Sequence, residues 1–126
     1  MSDHRLSEAV EKEFNVKLPE DYRDFIDTHG YLCLENLGLE IYGHQSSFCM
    51  TKIPSVVAAT RLYCKDYDLE KKYIVISHTG FEDYIIILDI YSDEVSEINT
   101  TGDKKIIAKS FQEWFDMIKK KDMLSA

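Results

Sequence analysis

The sequence predicts an α+β fold in which an antiparallel β meander is packed by N-terminal helices and a C-terminal helix. Three observations carry that prediction. Apolar residues recur at helical spacing before residue 30, β-branched and aromatic runs separated by turn residues fill 39 to 108, and a capped amphipathic segment follows residue 110. A chain of 126 residues with 44% hydrophobic content can close one core, so residues 1–126 read as a single domain. Fifteen aromatic residues against five glycines and two prolines exclude a disordered chain.

Leu6, Ala9, Val10 and Phe14 mark an amphipathic helix over 5–14 that Asn15 ends. Pro19 suits the first position of a second helix, where its missing N–H is no loss, and Glu20 and Asp21 favour the positive end of the dipole. Tyr22, Phe25 and Ile26 form its buried stripe, and Gly30 can take the left-handed conformation that stops it. After a segment carrying Leu32, Leu34 and Leu37, the alternation from Leu39 to Gly43 reads as a strand with one buried face. Ser55 is a candidate N-cap for a helix reaching Lys65. Tyr73–Ser77 and Tyr84–Ile90 read as a hairpin, followed by strands over Glu94–Asn99 and Lys105–Ala108. Ser110-Phe111-Gln112-Glu113 matches the capping box and opens a helix to about Lys120, with Phe111, Trp114, Phe115 and Ile118 on its apolar face.

The same reading excludes most chemistry. No Gly-x-Gly-x-x-Gly, Gly-Lys-Ser/Thr phosphate loop, Gly-x-Ser-x-Gly elbow or His-Glu-x-x-His occurs, so neither enzyme activity nor a cofactor is expected. His4, His29, His44 and His78 are scattered singly, and Cys33, Cys49 and Cys64 lack metal-ligand spacing, which predicts no metal site and free thiols. A net charge of −8 opposes direct nucleic-acid binding. No apolar run is long enough to span a bilayer and the first residues lack the apolar core of a signal peptide, so the expectation is a cytoplasmic protein that does not engage membranes. Charge is uneven: residues 66 to 103 hold ten acids against two lysines, and 104 to 126 hold six lysines against three acids.

A resemblance adds to this reading. Phe14-Asn15-Val16-Lys17-Leu18-Pro19-Glu20-Asp21-Tyr22, with Phe25-Ile26 and Gly30, resembles the N-terminal signature of the SMI1/KNR4 (SUKH) superfamily. The similarity continues through Leu39-Glu40-Ile41-Tyr42-Gly43, Tyr73–Ser77 with Gly80, Asp83–Asp89, Val95–Ile98 and Ser110–Phe115. The chain departs from the pattern at His29-Gly30-Tyr31, where many relatives carry a glycine pair. Leu18, Tyr22, Phe25 and Ile26 identify the fold and read as core positions rather than as a site.

The resemblance implies function by binding. Bacterial members are typically immunity proteins that neutralise secreted polymorphic toxins, many of them nucleases, whereas fungal members are regulatory scaffolds in cell-wall signalling. The expected partner is therefore a cognate toxin with a basic active-site cleft, and the alternative is a regulatory module that binds a housekeeping protein. An acidic chain suits the first because charge steers association. The candidate partner-binding residues lie in the acidic connections: Asp66, Asp68, Glu70, Glu82, Asp83, Asp93 and Glu94, with Tyr67 or Phe81 as an exposed aromatic anchor.

Overall fold

Helical periodicity before residue 30 becomes two short helices, α1 (Arg5–Phe14) and α2 (Glu20–His29), in the computed structural model, which describes residues 5–44, 55–78 and 84–124. Asn15 ends α1 with a φ of 56°, and the Val16 N–H reaches back to the Glu11 carbonyl at 3.1 Å, the six-to-one closure of a left-handed helix stop. Pro19 stands one position earlier than its sequence suggests: it is the N-cap of α2, and its carbonyl accepts the Arg23 N–H at 3.0 Å. Gly30 closes α2 at a φ of 73°.

The meander follows in the predicted order. Strands β1 (Leu32–Leu34) and β2 (Leu39–Ile41) precede helix α3 (Val56–Asp66), whose N-cap Ser55 accepts the Ala58 N–H at 3.1 Å. Then come β3 (Tyr73–His78), β4 (Tyr84–Asp89), β5 (Val95–Asn99) and β6 (Lys104–Ala108), and helix α4 (Phe111–Leu124) closes the series. The described strands form one sheet in sequence order, every neighbour antiparallel. Sequence periodicity missed β1, because three residues are too few to show an alternation. Where β2 ends, α3 takes over the open edge of β3, with Thr60 Oγ1 accepting the Val75 N–H at 2.9 Å.

Tyr73–Ser77 and Ile85–Asp89 are buried without interruption. Successive strand residues point to opposite faces, so the centre of the sheet is covered on both. Two expectations change. The alternation from Leu39 to Gly43 predicts a strand with one buried face, yet Glu40 is fully buried between Leu39 and Ile41. The cysteine spacing predicts free thiols, yet Cys33 is disulfide-bonded; Cys64 keeps its thiol, and Cys49 lies outside the described residues.

The helices join through rings and through one close backbone approach. Phe25 of α2 meets Phe111 and Phe115 of α4 at centroid distances of 5.3 and 5.2 Å, and Trp114 is 2% exposed. The Tyr22 hydroxyl, buried, donates to the Tyr42 carbonyl at 2.7 Å. One residue further on, a Cβ added to Gly43 would lie 1.9 Å from the Gly30 carbonyl oxygen, so only glycine lets β2 leave the sheet against the end of α2.

Two substitutions test this joint by urea unfolding. Gly43→Ala should cost about 3 kcal/mol or abolish folding, since backbone rather than a yielding side chain blocks the methyl group. Tyr22→Phe should cost about 1–2 kcal/mol by removing a buried donor while keeping the ring.

Candidate functional site

Strand register decides which connections meet. Tyr73 pairs with Asp89 and Leu88 with Val95, so the start of β3 and the β4–β5 turn lie at the same end of the sheet. Val95 pairs with Ala108, which brings the start of α4 to that end as well. Of the residues singled out by sequence, Asp93 and Glu94 belong to that end, whereas Tyr67, Asp68 and Glu70 border a cavity with Ile98, Gly102 and Lys104 towards the β5–β6 turn, and Asp66 ends α3 beside them. Phe81, Glu82 and Asp83 lie outside the described residues.

Their surroundings differ. Asp66, Asp68 and Glu70 are exposed. Tyr67 is not the exposed anchor expected of it: it is 8% exposed, caps the end of α3 with its N–H on the Tyr63 carbonyl at 3.0 Å, and packs edge-on against the Tyr63 ring. The aromatic that does project is Tyr91, 82% exposed at the tip of the β4–β5 turn. The sequence carried a signal for it, a tyrosine directly before the turn pair Ser92-Asp93, but the strand reading stopped at Ile90.

Asp89 builds that turn. Its Oδ1 accepts the N–H groups of Tyr91 and Ser92 at 2.9 and 3.1 Å, and its Oδ2 lies 3.5 Å from Lys72 Nζ. Burial by itself would raise this carboxyl, but the two N–H bonds and the Lys72 ammonium outweigh burial and hold it below the usual carboxylate range. Glu94 is half-buried, its N–H on Ser92 Oγ at 3.3 Å.

Asp93, by contrast, is committed to the helix. With a φ of 68° it turns its carboxylate onto the first turn of α4, where Oδ1 accepts the Phe111 N–H at 3.3 Å. Asp21 Oδ2 takes the Gln112 N–H at 2.9 Å and Ser110 Oγ the Glu113 N–H at 3.1 Å, so three side chains from three segments satisfy three successive donors. Two carboxylates share this helix end. Burial, the hydrogen bond to Asp21 and the Asp21 charge push Asp93 up to about 7, against the lowering effect of the Phe111 N–H.

Elsewhere, His78 stacks on Tyr63 at 5.7 Å with nearly parallel rings, and burial lowers its pKa, which favours a neutral imidazole. Among the described residues no group of three or more His, Cys, Asp or Glu could hold a metal ion, and no helix is long and apolar enough to cross a membrane.

Helices clasping a six-stranded antiparallel meander, with an acidic, tyrosine-tipped end, define an α+β protein of SMI1/KNR4-like architecture. The family model SUKH_5, described as SMI1-KNR4 cell-wall, matches residues 1–119, and the chain belongs to this family. No curated protein gives a significant match.

The shared cap makes stability depend on pH. Folded Asp93 keeps its proton to about pH 7, whereas an unfolded aspartate loses it near about 4. The folded state therefore binds more protons across that window, and stability falls as pH rises from about 4 to about 7. Asp93→Asn, which keeps an N–H donor towards Asp21, should flatten that slope and raise the melting temperature at pH 8. Asp93→Ala should cost about 1 kcal/mol at low pH by losing the cap. Thermal melts of the three proteins across pH 4–8 read both effects.

Proposed function

We propose that this protein binds a cognate secreted toxin, of the nuclease type, and neutralises it by covering a basic active-site cleft, without catalytic activity of its own. Membership of the SMI1/KNR4 family supports a role in binding. The observation that carries the reading further is Tyr91, a large ring held out on a turn that Asp89 rigidifies and that also carries the Glu94 carboxylate. A projecting aromatic on an acidic protein suits a basic surface: the ring supplies contact area at low entropic cost, and exposed carboxylates such as Asp68 and Glu70 steer the encounter. The carboxylates nearest the helix, Asp93 and Asp21, are engaged in capping, which leaves them a structural rather than a chemical part.

A second reading has its own support. The matching family model is described by the cell wall, which fits a regulatory scaffold that binds a housekeeping protein. Both readings place function in protein contact, and a neighbouring gene encoding a large secreted protein with a variable C-terminal domain favours the first.

Association kinetics against the cognate toxin at several salt concentrations test the proposal. Neutralising Asp68, Glu70 and Glu94 together (D68N, E70Q, E94Q) should lower the on-rate and flatten its salt dependence, because exposed charges act over a Debye length of about 8 Å at physiological ionic strength. Tyr91→Ala should raise the off-rate about tenfold or more and leave the on-rate nearly unchanged. Parent kinetics in both variants would place the interface elsewhere.

A further inference from the structure

Strand β6 ends the sheet, and its exposed edge has a construction that the acidic turn does not explain. Lys104, Lys105 and Ile106 are all exposed, and Ile106, a β-branched apolar residue, keeps 52% of its surface in solvent. Asn99 donates its N–H to the Asp103 carbonyl, and two residues along each strand Glu97 faces Lys105. Backbone groups in an antiparallel pair alternate between neighbours, so Lys104 and Ile106 turn their N–H and C=O groups away from β5.

Depressions flank this edge on both faces. Paired residues share a face, so Ile98 and Lys104 lie on one and Glu97 and Lys105 on the other. On the first face Ile98 and Lys104 border a cavity of ≈ 280 Å³ closed by Tyr67, Tyr73, Asp68 and Glu70. Lys104 Nζ lies 2.6 Å from the Tyr73 hydroxyl and 5.0 Å from the centre of its ring. On the second face Glu97 and Lys105 border a cavity of ≈ 330 Å³ with Tyr84, Asp103 and Lys104. Each cavity thus has tyrosine in its wall and two carboxylates, and Lys104 borders both.

We infer that the β6 edge takes up an extended, arginine- or lysine-bearing segment of a protein partner as a seventh strand. An added strand presents its side chains alternately to the two faces, and here each face offers a cavity at that spacing. The open N–H and C=O groups of Lys104 and Ile106 supply main-chain pairing. Across the two cavities four carboxylates, Asp68, Glu70, Glu97 and Asp103, stand against two lysines, which selects a basic segment. The inference deepens the binding reading above and rests on it: the acidic turn steers a partner, and β6 holds part of it.

An isotope-labelled sample titrated with an acetylated heptapeptide of alternating arginine and valine tests this by amide spectra. Saturable shifts on Lys104–Ala108 and Glu97, with slowed exchange of the Ile106 N–H, are expected. The same peptide N-methylated at alternate residues keeps its charge but not its main-chain donors, and should bind about tenfold more weakly. Equal binding of the two peptides, or shifts centred on Tyr91 and Glu94, overturns the inference. So does self-association through β6 in sedimentation, which would assign the edge to a second copy. If toxin binds while Ile106→Lys and Glu97→Lys leave its affinity unchanged, this inference fails and the binding reading stands. If no toxin binds although the peptide pairs with β6, the earlier reading fails instead.

Discussion

The passage of the chain from β2 past the end of α2 is the constraint on which the rest of this structure hangs. Gly43 lies so close to the Gly30 carbonyl that no side chain fits, and the residues on either side turn that proximity into a junction. Tyr42 accepts the Tyr22 hydroxyl on its carbonyl and gives its N–H to Ile76 of β3, while the Gly43 carbonyl accepts the Val56 N–H at the head of α3. Within two residues the backbone thus contacts α2, β3 and α3. The Leu-Pro-x-x-Tyr element of the sequence finds its physical meaning here: Pro19 starts α2 so that Tyr22 faces inward at the right turn, and the phenol reaches the Tyr42 carbonyl where the strand leaves the sheet.

A second theme is that helix ends are satisfied by carboxylates from distant segments. Asp27 of α2 accepts both the N–H and the hydroxyl of Ser7 in the first turn of α1, at 3.0 and 2.9 Å. Asp21 and Asp93 do the same for α4. Such caps couple tertiary packing to helix formation, because part of each cap is missing until the other element is in place. They also change the meaning of the acidic charge: part of it is internal scaffolding at helix dipoles, and part, around Glu70, Glu94 and the exposed Asp68, faces solvent.

What was legible in the sequence follows from how local each signal is. The limits of α1, the stop at Gly30, the Ser55 and Ser110 caps and the hairpins rest on spacing within about ten residues, and the structure has all of them. What was missed depends on partners remote in sequence. Glu40 alternates like a surface residue, but its burial depends on cover over both sides of the sheet. Tyr67 sits in an acidic stretch that reads as exposed, yet it folds back on Tyr63. Asp93 reads as a plain turn residue, and its part emerges only when α4 arrives beside it. Of the candidate site, charge was legible and the projecting ring was not: Tyr91 owes its exposure to where β4 stops, which depends on Asp89 bonding forward into the turn.

The bond between Asn36 and the far end of α4, its side-chain amide on the Asp122 carbonyl across 86 positions, sets an order of events in the life of the chain. Each hairpin of the meander can close soon after its residues leave the ribosome, since its partners are neighbours. The aromatic layer between α2 and α4 cannot. Until the last helix emerges, Tyr22 and Phe25 have no Phe111 or Phe115 against them, and the nascent chain presents a greasy, half-built surface. Helix α4 is therefore a clasp that arrives after the sheet it closes, and a ribosome that stalls before making it releases a product with its first hairpin and its second helix both uncovered.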